Sequence, residues 1–420
     1  MAEYKGIAYL RNKLQSKSTR VDLRYSYYEM KDAIISTGLV IPKEMQQLYK
    51  SVLGWCAKSV DSMADRLVFR EFENDNFELN PIFRMNNPDV LFDSAITSAL
   101  ISSCCFIYIS PDGEGYPRLQ VIDGGNATGI MDPITGMLTE GYAILKRDDD
   151  TGNPTLEAYF VPGKTTYYEK GKTPYSIDNA APYPLLVPVV YRPDAKRPFG
   201  HSRISRSCMY VQRYAKRVLE RSDVSAEFYS FPQKYVLGTD PDNDPLDRWK
   251  ATMSSLLEFT KDDAGGHPVV GQFTQQSMTP YLEQLRAAAS VFAGETGLTL
   301  DDLGFATDNP SSAEAIKAAH ENLRLAARKA QRNFGTGFLN AGYLAACLRD
   351  NFAYKRRQLY LTTPVWEPIF EPDAAMLSAI GDGAYKINQS VPGYFNSDNL
   401  RELTGIDASS MEPPVSNMEE

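Results

Sequence analysis

The chain has 420 residues, of which 43% are hydrophobic and 23% charged, and its formal net charge at pH 7 is −9. That length can hold about two or three domain-sized units, and the composition is typical of globular proteins. No apolar run approaches the roughly 18 residues that a membrane helix needs, and the first residues lack a signal-peptide core, so we expect a protein that is intracellular when made. The acidic balance argues against a simple nucleic-acid clamp, because clamps place basic patches against phosphate.

The five cysteines are scattered and form no CxxC pair of the kind that builds zinc sites or redox dithiols. Cys104 and Cys105 are adjacent within an apolar run, residues 100–109, that is typical of a buried strand. In such a strand cysteine usually acts as a small hydrophobic residue. We therefore expect these two thiols to be packing residues.

Helices and single strands are predicted for the first part of the chain. Apolar residues recur on one side of a helix across residues 42–67, and a strand is predicted next at 68–72. A second helix is predicted at 89–100, and it leads into a strand at 104–110.

The pattern changes between residues 118 and 190, where short alternating runs are separated by Gly, Pro, Asn and Asp. Alternation and turn spacing of this kind indicate an antiparallel sheet. The predicted strands are RLQVID, ATGIMD, GYAILKR, LEAYFVP, KTTYYEK and LLVPVVY. The polar cluster at 148–153 is predicted to be a hairpin turn or loop.

A long helix with an apolar side and a basic side is predicted after the sheet. It begins near Ser202, and if it continues to Phe228 it spans about 40 Å. Residues 203–234 contain seven Lys or Arg against three acidic residues, a balance of 7 − 3 = +4. Most such runs are solvated helix faces, and binding by any one basic residue is the less common alternative.

Short elements and turns follow this helix. A strand is predicted at 231–238, a helix at 246–259 and a loop at 262–268. The next helix opens at Thr279-Pro280, because the hydroxyl can cap free backbone donors and proline tolerates the first helical position. Two glycines, Gly294 and Gly297, offer stops for that helix.

A short helix is predicted from Thr299 to Leu303, closed by Gly304, and residues 305–310 then form a loop. Ser311 and Glu314 form a capping box that starts a long helix at 312–350. At about 1.5 Å per residue this helix would approach 57 Å. Its glycines permit a neighbouring helix to approach closely or the helix to kink. The alternative interpretation is an ordinary long core helix, as found in any α-rich protein. These glycines are Gly335, Gly337 and Gly342.

The last part of the chain is predicted to hold a strand at 358–362, a helix around Met376 and a short helix at 396–403. Residues 409–420 are polar and contain proline, and we expect them to be disordered.

A search for catalytic motifs finds none that is complete. Two GKT runs, at 163–165 and 171–173, lack the glycine that a phosphate-binding P-loop requires five residues earlier. The three histidines, His201, His267 and His320, fit no metal-binding spacing. Asp301 and Asp302 lie in the first turn of a short helix, where the helix dipole favours acids. The sequence therefore predicts no enzyme, no metal and no cofactor.

The run NPSSAEAI at residues 309–316, preceded by Thr296-Gly297-Leu298, resembles the tunnel-forming region of tailed-bacteriophage portal proteins of the siphophage type. Other positions that match are Glu321, Leu323, Ala327, Lys329, Phe334, Gly335, the runs VDS and ADRL at 60–67, and PFGHS at 198–202. The resemblance extends from about Trp55 to Leu403. One departure is Ser102-Ser103, which stands where the family has a glycine between helix and strand.

The resemblance implies an α+β portal fold with a helical and antiparallel-sheet wing, long stem helices, a small α/β clip and a reduced crown. The implied parts are the wing at 1–201, the first stem helix at 202–230, the clip at 231–278, the second stem helix at 279–297, the tunnel-loop region at 298–311, a long tunnel or wing helix at 312–350, and a C-terminal wing or crown remnant with a flexible tail at 351–420.

In function the resemblance implies a ring, expected to be a dodecamer, at one capsid vertex of the virion, assembled in the host cytoplasm. Its implied partners are double-stranded DNA, the terminase large subunit, head-tail adaptors, and capsid or scaffold proteins, with no membrane. Candidate residues for the DNA channel are Phe305, Ala306, Thr307, Asp308, Asn309, Arg213, Lys216, Arg217 and Arg221. Another virion connector or adaptor ring, and an unrecognised enzyme, remain alternatives.

Overall fold

The computed structural model describes residues 4–32, 50–230, 234–237, 269–272, 277–305, 318–370 and 374–404. The chain divides into two compact units. The first comprises Met1–Lys31, Cys56–Ser205 and Pro310–Glu420, and the second comprises Asp32–Trp55 and Arg206–Asn309. Helices and antiparallel strands both occur, which confirms the predicted α+β class.

The helices of the first unit come from both ends of the chain. Before the second unit's helices come α1 (Gly6–Tyr28), α2 (Trp55–Ala64), α3 (Leu79–Arg84) and α4 (Pro88–Ser102); the first residue of α2, Trp55, belongs to the second unit. The second unit contributes α5 (Arg206–Ser230) and α6 (Thr279–Thr296). The first unit then continues with α7 (Glu321–Arg349), α8 (Ala374–Ser390) and α9 (Ser397–Thr404). No helix in the described ranges is long and apolar enough to cross a membrane.

The strands of the first unit form three antiparallel sheets. They are β1 (Phe69–Glu73), β2 (Cys104–Pro111), β3 (Pro117–Asp123), β4 (Ala127–Met131), β5 (Leu138–Arg147), β6 (Pro154–Val161), β7 (Lys164–Glu169), β8 (Tyr175–Asp178), β9 (Leu186–Val190) and β12 (Thr363–Trp366). The strands β10 (Lys234–Leu237) and β11 (Val269–Gln272) belong to the second unit. The sheet orders are β3-β2-β9, β4-β5-β6-β7-β8 and β1-β12.

The prediction of one antiparallel sheet at residues 118–190 is wrong in its connectivity, although all six of its strands are present. β9 pairs with β2, with Cys104 opposite Val190, so it closes a three-stranded sheet and leaves β4 to β8 as a separate sheet. The cause is a long-range pairing that alternation cannot reveal. β8 is an additional strand that was not predicted; it is only four residues long, and all four are exposed, including the apolar Tyr175 and Ile177.

The predicted hairpin at 148–153 is confirmed. Asp148 and Asn153 are joined across the turn by a backbone hydrogen bond of 2.9 Å, and the Thr151 amide donates to the Asp148 carboxylate over 2.8 Å. The buried strand predicted around Cys104 and Cys105 is also confirmed, since the first six residues of β2 are all buried.

An aromatic cluster forms the interior beside α7. The Phe69 ring lies 4.4 Å from Phe92 and 5.6 Å from Phe338, measured between centroids, and it meets Trp366 edge to face at 5.3 Å. These four rings come from β1, α4, α7 and β12. Aromatic pairs at such separations add to the free energy of simple burial.

Helix α1 is anchored on the five-stranded sheet through a buried carboxylate. Glu140, which is 1% exposed, accepts hydrogen bonds from the backbone amides of Lys5 and Gly6 over 2.8 and 2.9 Å, and from the Tyr159 hydroxyl over 2.8 Å. A carboxylate at a helix N-terminus satisfies free amides and complements the helix dipole. The helix α1 was not predicted, although its buried residues Leu10, Leu14 and Val21 recur at the helical intervals of four and seven.

Several predicted boundaries need correction. The helix predicted at 42–67 begins at Trp55, just after the poor helix former Gly54, while residues 42–49 lie outside the described ranges. The helix predicted from Ser202 begins at Arg206, because the Ser202 hydroxyl and the Arg203 amide donate to carbonyls at the end of α4.

Two predictions in the C-terminal part also change. The long helix predicted at 312–350 is interrupted by a turn at His320, which precedes α7, and residues 312–317 lie outside the described part. The strand predicted at 358–362 is wrong, since Arg356–Leu359 is a short 3-10 helix whose first turn is closed by the Gln358 side chain. The helix around Met376 and the one at 396–403 are confirmed as α8 and α9.

The second unit contains α5, α6, a short 3-10 helix at Asp301–Leu303 and the two-stranded sheet of β10 and β11. β10 confirms part of the predicted strand 231–238, and β11 was not predicted. The helix predicted at 246–259, the loop at 262–268 and the capping box at Ser311 and Glu314 lie outside the described residues.

The predicted stop of α6 at Gly297 is confirmed, whereas the predicted cap at Thr279 and the stop at Gly294 need correction. The Ser277 hydroxyl accepts the Thr279 amide over 3.2 Å, so Ser277 rather than Thr279 provides the oxygen at the helix start. Gly294 does not stop the helix, which continues to Thr296. Gly297 ends the helix as predicted, with φ 72° in the left-handed region that favours glycine.

A buried ion pair lies inside the second unit. The Lys216 ammonium is 3.1 Å from the Asp32 carboxylate and donates to the Asp32 carbonyl over 2.7 Å, and the two side chains are only 3% and 2% exposed. Gln212 donates to the same carboxylate. Since both charges have left water, each depends on the other.

We expect Lys216→Ala to lower the free energy of unfolding by about 3–5 kcal/mol, because it leaves Asp32 as an uncompensated buried charge. The exposed neighbour Arg217 supplies the control, and Arg217→Ala should change that free energy by less than about 0.5 kcal/mol. Urea unfolding followed by circular dichroism measures both. Equal effects for the two variants would contradict the importance of the pair.

Ser103 occupies a strained position at the end of α4. Its φ is 91°, in the region that glycine adopts without cost, and its amide donates to the Ala99 carbonyl over 3.0 Å. We expect Ser103→Gly to raise the free energy of unfolding by about 1 kcal/mol, because the left-handed conformation costs about 1–2 kcal/mol for residues with a Cβ.

The reverse substitution is available in the same unit. Gly171 has φ 84° and open space where a Cβ would stand, so Gly171→Ser should destabilise by a similar amount through backbone strain alone. Thermal unfolding of both variants tests the pair, and a destabilised Ser103→Gly protein would show that the serine hydroxyl outweighs the strain.

Candidate functional site

The candidate site lies in the second unit, on the helix pair α5 and α6. The Ser225 hydroxyl and the Tyr281 hydroxyl are 2.8 Å apart, which places the C-terminal part of α5 beside the start of α6. On α5 the apolar residues Val211, Ala215 and Val218 are buried at the helical spacing that the sequence predicts. On α6 the Phe292 ring packs 5.6 Å from Trp55.

The exposed side of α5 carries a line of arginines. Arg213, Arg217 and Arg221 are exposed and follow one another at intervals of four residues, which puts them on one side of the helix. Arg206 and Tyr210 extend this line toward the start of α5, and Tyr210 is 59% exposed. We call these five residues the arginine stripe.

The chemistry of the arginine stripe suits phosphate. Guanidinium groups remain charged at every physiological pH and present several N–H donors in a plane, and a tyrosine ring adds an apolar surface with a polar tip. Glu220, which lies between Arg217 and Arg221 in sequence, is buried, and that burial raises the pKa of its carboxyl although the nearby Arg221 and Lys216 oppose the shift. The exposed side is therefore dominated by positive charge.

Lys216 is the candidate residue that this geometry does not bring to the surface. Its ammonium lies in the buried ion pair with Asp32, so it is not part of the arginine stripe. The sequence groups it with the arginines because it is basic and adjacent to Arg217. Its partner, 184 residues away, could not be found from local spacing.

The candidate tunnel loop is described only at its first residue. The Phe305 amide donates to the Leu300 carbonyl over 3.0 Å, and Gly304 turns the chain with φ 88°. Ala306, Thr307, Asp308 and Asn309 lie outside the described residues.

The segment that leads into this loop is firmly capped. The Asp302 carboxylate accepts the Thr299 amide over 2.8 Å, and the Thr299 hydroxyl accepts the Asp302 amide over 3.1 Å. This reciprocal pair is a capping box. It agrees with the prediction that Asp302 acts at a helix start.

Titratable groups also occur away from the helix pair of α5 and α6. No group of three or more His, Cys, Asp or Glu residues is arranged there to hold a metal ion. Burial raises the pKa of the Cys104 thiol to about 11 and that of Cys105 well above its usual value, which agrees with their prediction as packing residues. His201 contacts the Asp194 carboxylate at 2.5 Å in an exposed loop.

Comparison of the chain with known proteins gives two curated relatives. It is 26% identical over 411 residues to the portal protein of Mycobacterium phage L5, and the match covers 92% of this chain and 82% of the relative. The portal protein of Mycobacterium phage D29 gives the same identity and the same coverage. No protein-family model matches the chain.

Solved structures give looser similarities. A chain from the "Neck of native GTA particle computed with C12 symmetry" has a TM-score of 0.46 and 14% identity, and the match covers 93% of this chain and 100% of that one. A chain from the "Virion of native gene transfer agent (GTA) particle" has a TM-score of 0.45 at the same identity and coverage.

The two curated relatives test the resemblance that the sequence analysis found. Their alignments cover 92% of this chain and so leave only a small part of it unmatched. The resemblance predicted from the sequence is therefore confirmed: this chain is similar to bacteriophage portal proteins along 92% of its length.

Proposed function

We propose that this chain is a portal subunit, which assembles into a ring at one vertex of a bacteriophage capsid and forms the channel through which double-stranded DNA passes. The observation that carries the proposal is the match to two proteins named portal protein over 92% of the chain. The protein would act as part of the virion and would serve assembly rather than catalysis.

A ring with a central hole requires a repeated head-to-tail interface. Each subunit then uses one surface to meet the next subunit and a different surface to receive the previous one, and the rotation closes. We propose twelve subunits, as the family resemblance implies. The discontinuous first unit would be the wing, with α5 and α6 as the two stem helices and the β10–β11 sheet as part of the clip between them in sequence.

Passage of DNA sets an electrostatic requirement on the channel. Each phosphate that a protein neutralises adds affinity and therefore drag, so a channel that moves DNA cannot bind it tightly. A subunit with net charge −9 suits this requirement, while the arginine stripe could make brief phosphate contacts. Phe305 and residues 306–309 remain our candidates for a tunnel loop near the DNA.

The proposed partners follow from this role. The packaging motor, with its terminase large subunit, would dock on the ring while DNA enters, and head-tail adaptors would replace it afterwards. Capsid or scaffold proteins would contact the wing. We expect no cofactor.

We expect the purified protein to form rings of about twelve subunits with a central hole. Negative-stain electron microscopy, with the mass in solution measured alongside, tests this. A protein that stays monomeric both alone and when mixed with its capsid and scaffold proteins would contradict the proposal.

We expect the triple variant Arg213→Gln, Arg217→Gln and Arg221→Gln to form normal rings but to bind a short DNA duplex more weakly. The slope of log affinity against log salt should become shallower by about 0.9 for each phosphate that the variant no longer neutralises. Fluorescence anisotropy over a salt series measures this slope.

A matched control removes the same charge from the other unit. Lys146, Lys164 and Lys170 are exposed on the five-stranded sheet or its turns, and their triple glutamine variant also lowers the charge by three. If the two triple variants lose the same affinity, overall charge rather than the arginine stripe governs DNA binding, and the stripe has no place in the channel.

A further inference from the structure

A cleft of about 510 Å³ opens in the first unit, beside α1. One wall is α1, and the others are the junction of α4 with β2, the strand β4, and the loop at residues 196–200. The floor is partly apolar and includes Leu14, Phe106 and Ile130. A volume of this size is typical of small-molecule sites.

The side chains around this cleft are strongly basic. Helix α1 contributes Lys13, Lys17, Arg20 and Arg24, which recur at intervals of four, three and four residues and so share one side of the helix. Three further basic residues line the cleft, namely Lys5, Lys196 and Arg197, and its lining contains no aspartate or glutamate among the described residues. We call this site the basic cleft.

The positive groups converge instead of pointing apart. The ammonium groups of Lys13 and Lys17 lie 5.1 and 5.4 Å from the centre of the same Phe199 ring. The Lys13 ammonium also donates to the Gly129 carbonyl, and the Arg24 guanidinium donates to the Ser102 carbonyl over 2.8 Å. These contacts orient the cations, but a carbonyl or a ring does not neutralise them.

The protein bears a free-energy cost for this arrangement. Burial, with help from the charges of Lys17 and Lys5, lowers the pKa of Lys13 to about 8, and burial followed by the charge of Arg20 lowers the pKa of Arg24. Both shifts mean that the charged forms are less stable here than in water. Like charges four residues apart also destabilise a helix. An anion with several charges would remove much of this cost.

We propose that the basic cleft binds a phosphate-bearing polyanion, either a free polyphosphate compound or consecutive phosphates of a nucleic acid. The terminal phosphate of a free polyphosphate carries up to two charges on three acceptor oxygens, and each phosphodiester of a nucleic acid carries one charge, so both place closely spaced negative charge against cations gathered in a small cleft. The planar arginine donors suit phosphate geometry. An acidic peptide spreads single charges along its backbone and fits a concentrated site less well.

This binding goes beyond the channel function, because the basic cleft belongs to the first unit and shares no residue with the arginine stripe. The two can therefore be tested separately in the same protein.

The test uses the full chain, with inorganic triphosphate, a short DNA duplex and an octaglutamate peptide as probes at low salt. Ligand binding to the folded state raises the unfolding temperature, and titration gives the affinity. We expect triphosphate to raise it, and the double variant Lys17→Gln and Arg20→Gln to bind triphosphate at least about tenfold more weakly, since each charged hydrogen bond contributes appreciably.

Controls keep the result interpretable. The double variant Lys146→Gln and Lys164→Gln removes the same charge outside the cleft and should bind triphosphate as the unmodified protein does. The single variant Arg20→Gln, at an exposed position on α1, should bind more weakly than the unmodified protein and guards against misfolding of the double variant.

The outcomes separate the sources of phosphate and can overturn the proposal. If triphosphate binding depends on Lys17 and Arg20 and is tighter than DNA binding, the ligand is a free polyphosphate. If DNA binding depends on the same two residues and is tighter than triphosphate binding, the ligand is a nucleic acid. Equal affinities in the cleft and control variants would overturn the proposal. A peptide that binds more tightly than triphosphate would also overturn it, in favour of an acidic protein segment.

Discussion

The close approach of α7 to its neighbours is the constraint on which the first unit depends. A Cβ placed on Gly337 would lie 3.2 Å from the Val189 Cα, and one on Gly335 would lie 2.6 Å from the Pro364 side chain. A side chain at Gly335 would require the Pro364 ring to shift, and one at Gly337 would press against the backbone of β9. Through them a helix near the C-terminal end of the chain packs on β9 and β12, and its Gly342 accommodates Leu79 of α3.

This contact explains how a discontinuous unit holds together. The second unit interrupts the first between Lys31 and Cys56 and again between Ser205 and Pro310. The two larger of its three parts, Cys56–Ser205 and Pro310–Glu420, therefore have to meet through tertiary contacts. The β1–β12 pairing and the aromatic cluster of Phe69, Phe92, Phe338 and Trp366 join the same two parts. Burial of these large rings supplies the driving force, and the glycines of α7 supply the fit.

The net charge of −9 does not describe where the charged side chains lie in the structure. The basic residues of α5 divide into an exposed stripe and one buried lysine paired with Asp32, although Lys216 and Arg217 are adjacent in sequence. In the first unit the basic side of α1 lines a cleft whose described lining holds no acids. The carboxylate of Glu140, in contrast, binds the free amides at the start of the same helix. Similar residues therefore carry different roles according to their neighbours.

The sequence by itself determined the class of fold, the strands with alternating residues, the helix ends at Gly297 and Gly304, and the resemblance to portal proteins, because turn residues, periodicity and a run such as NPSSAEAI are local properties. Only the tertiary structure decided that β9 leaves its sequence neighbours to pair with β2, that Glu140 holds the start of α1, and that Lys216 is buried. Each of these depends on partners between about 80 and 190 residues away, and the free energy of such contacts is set by the packed interior rather than by local propensity.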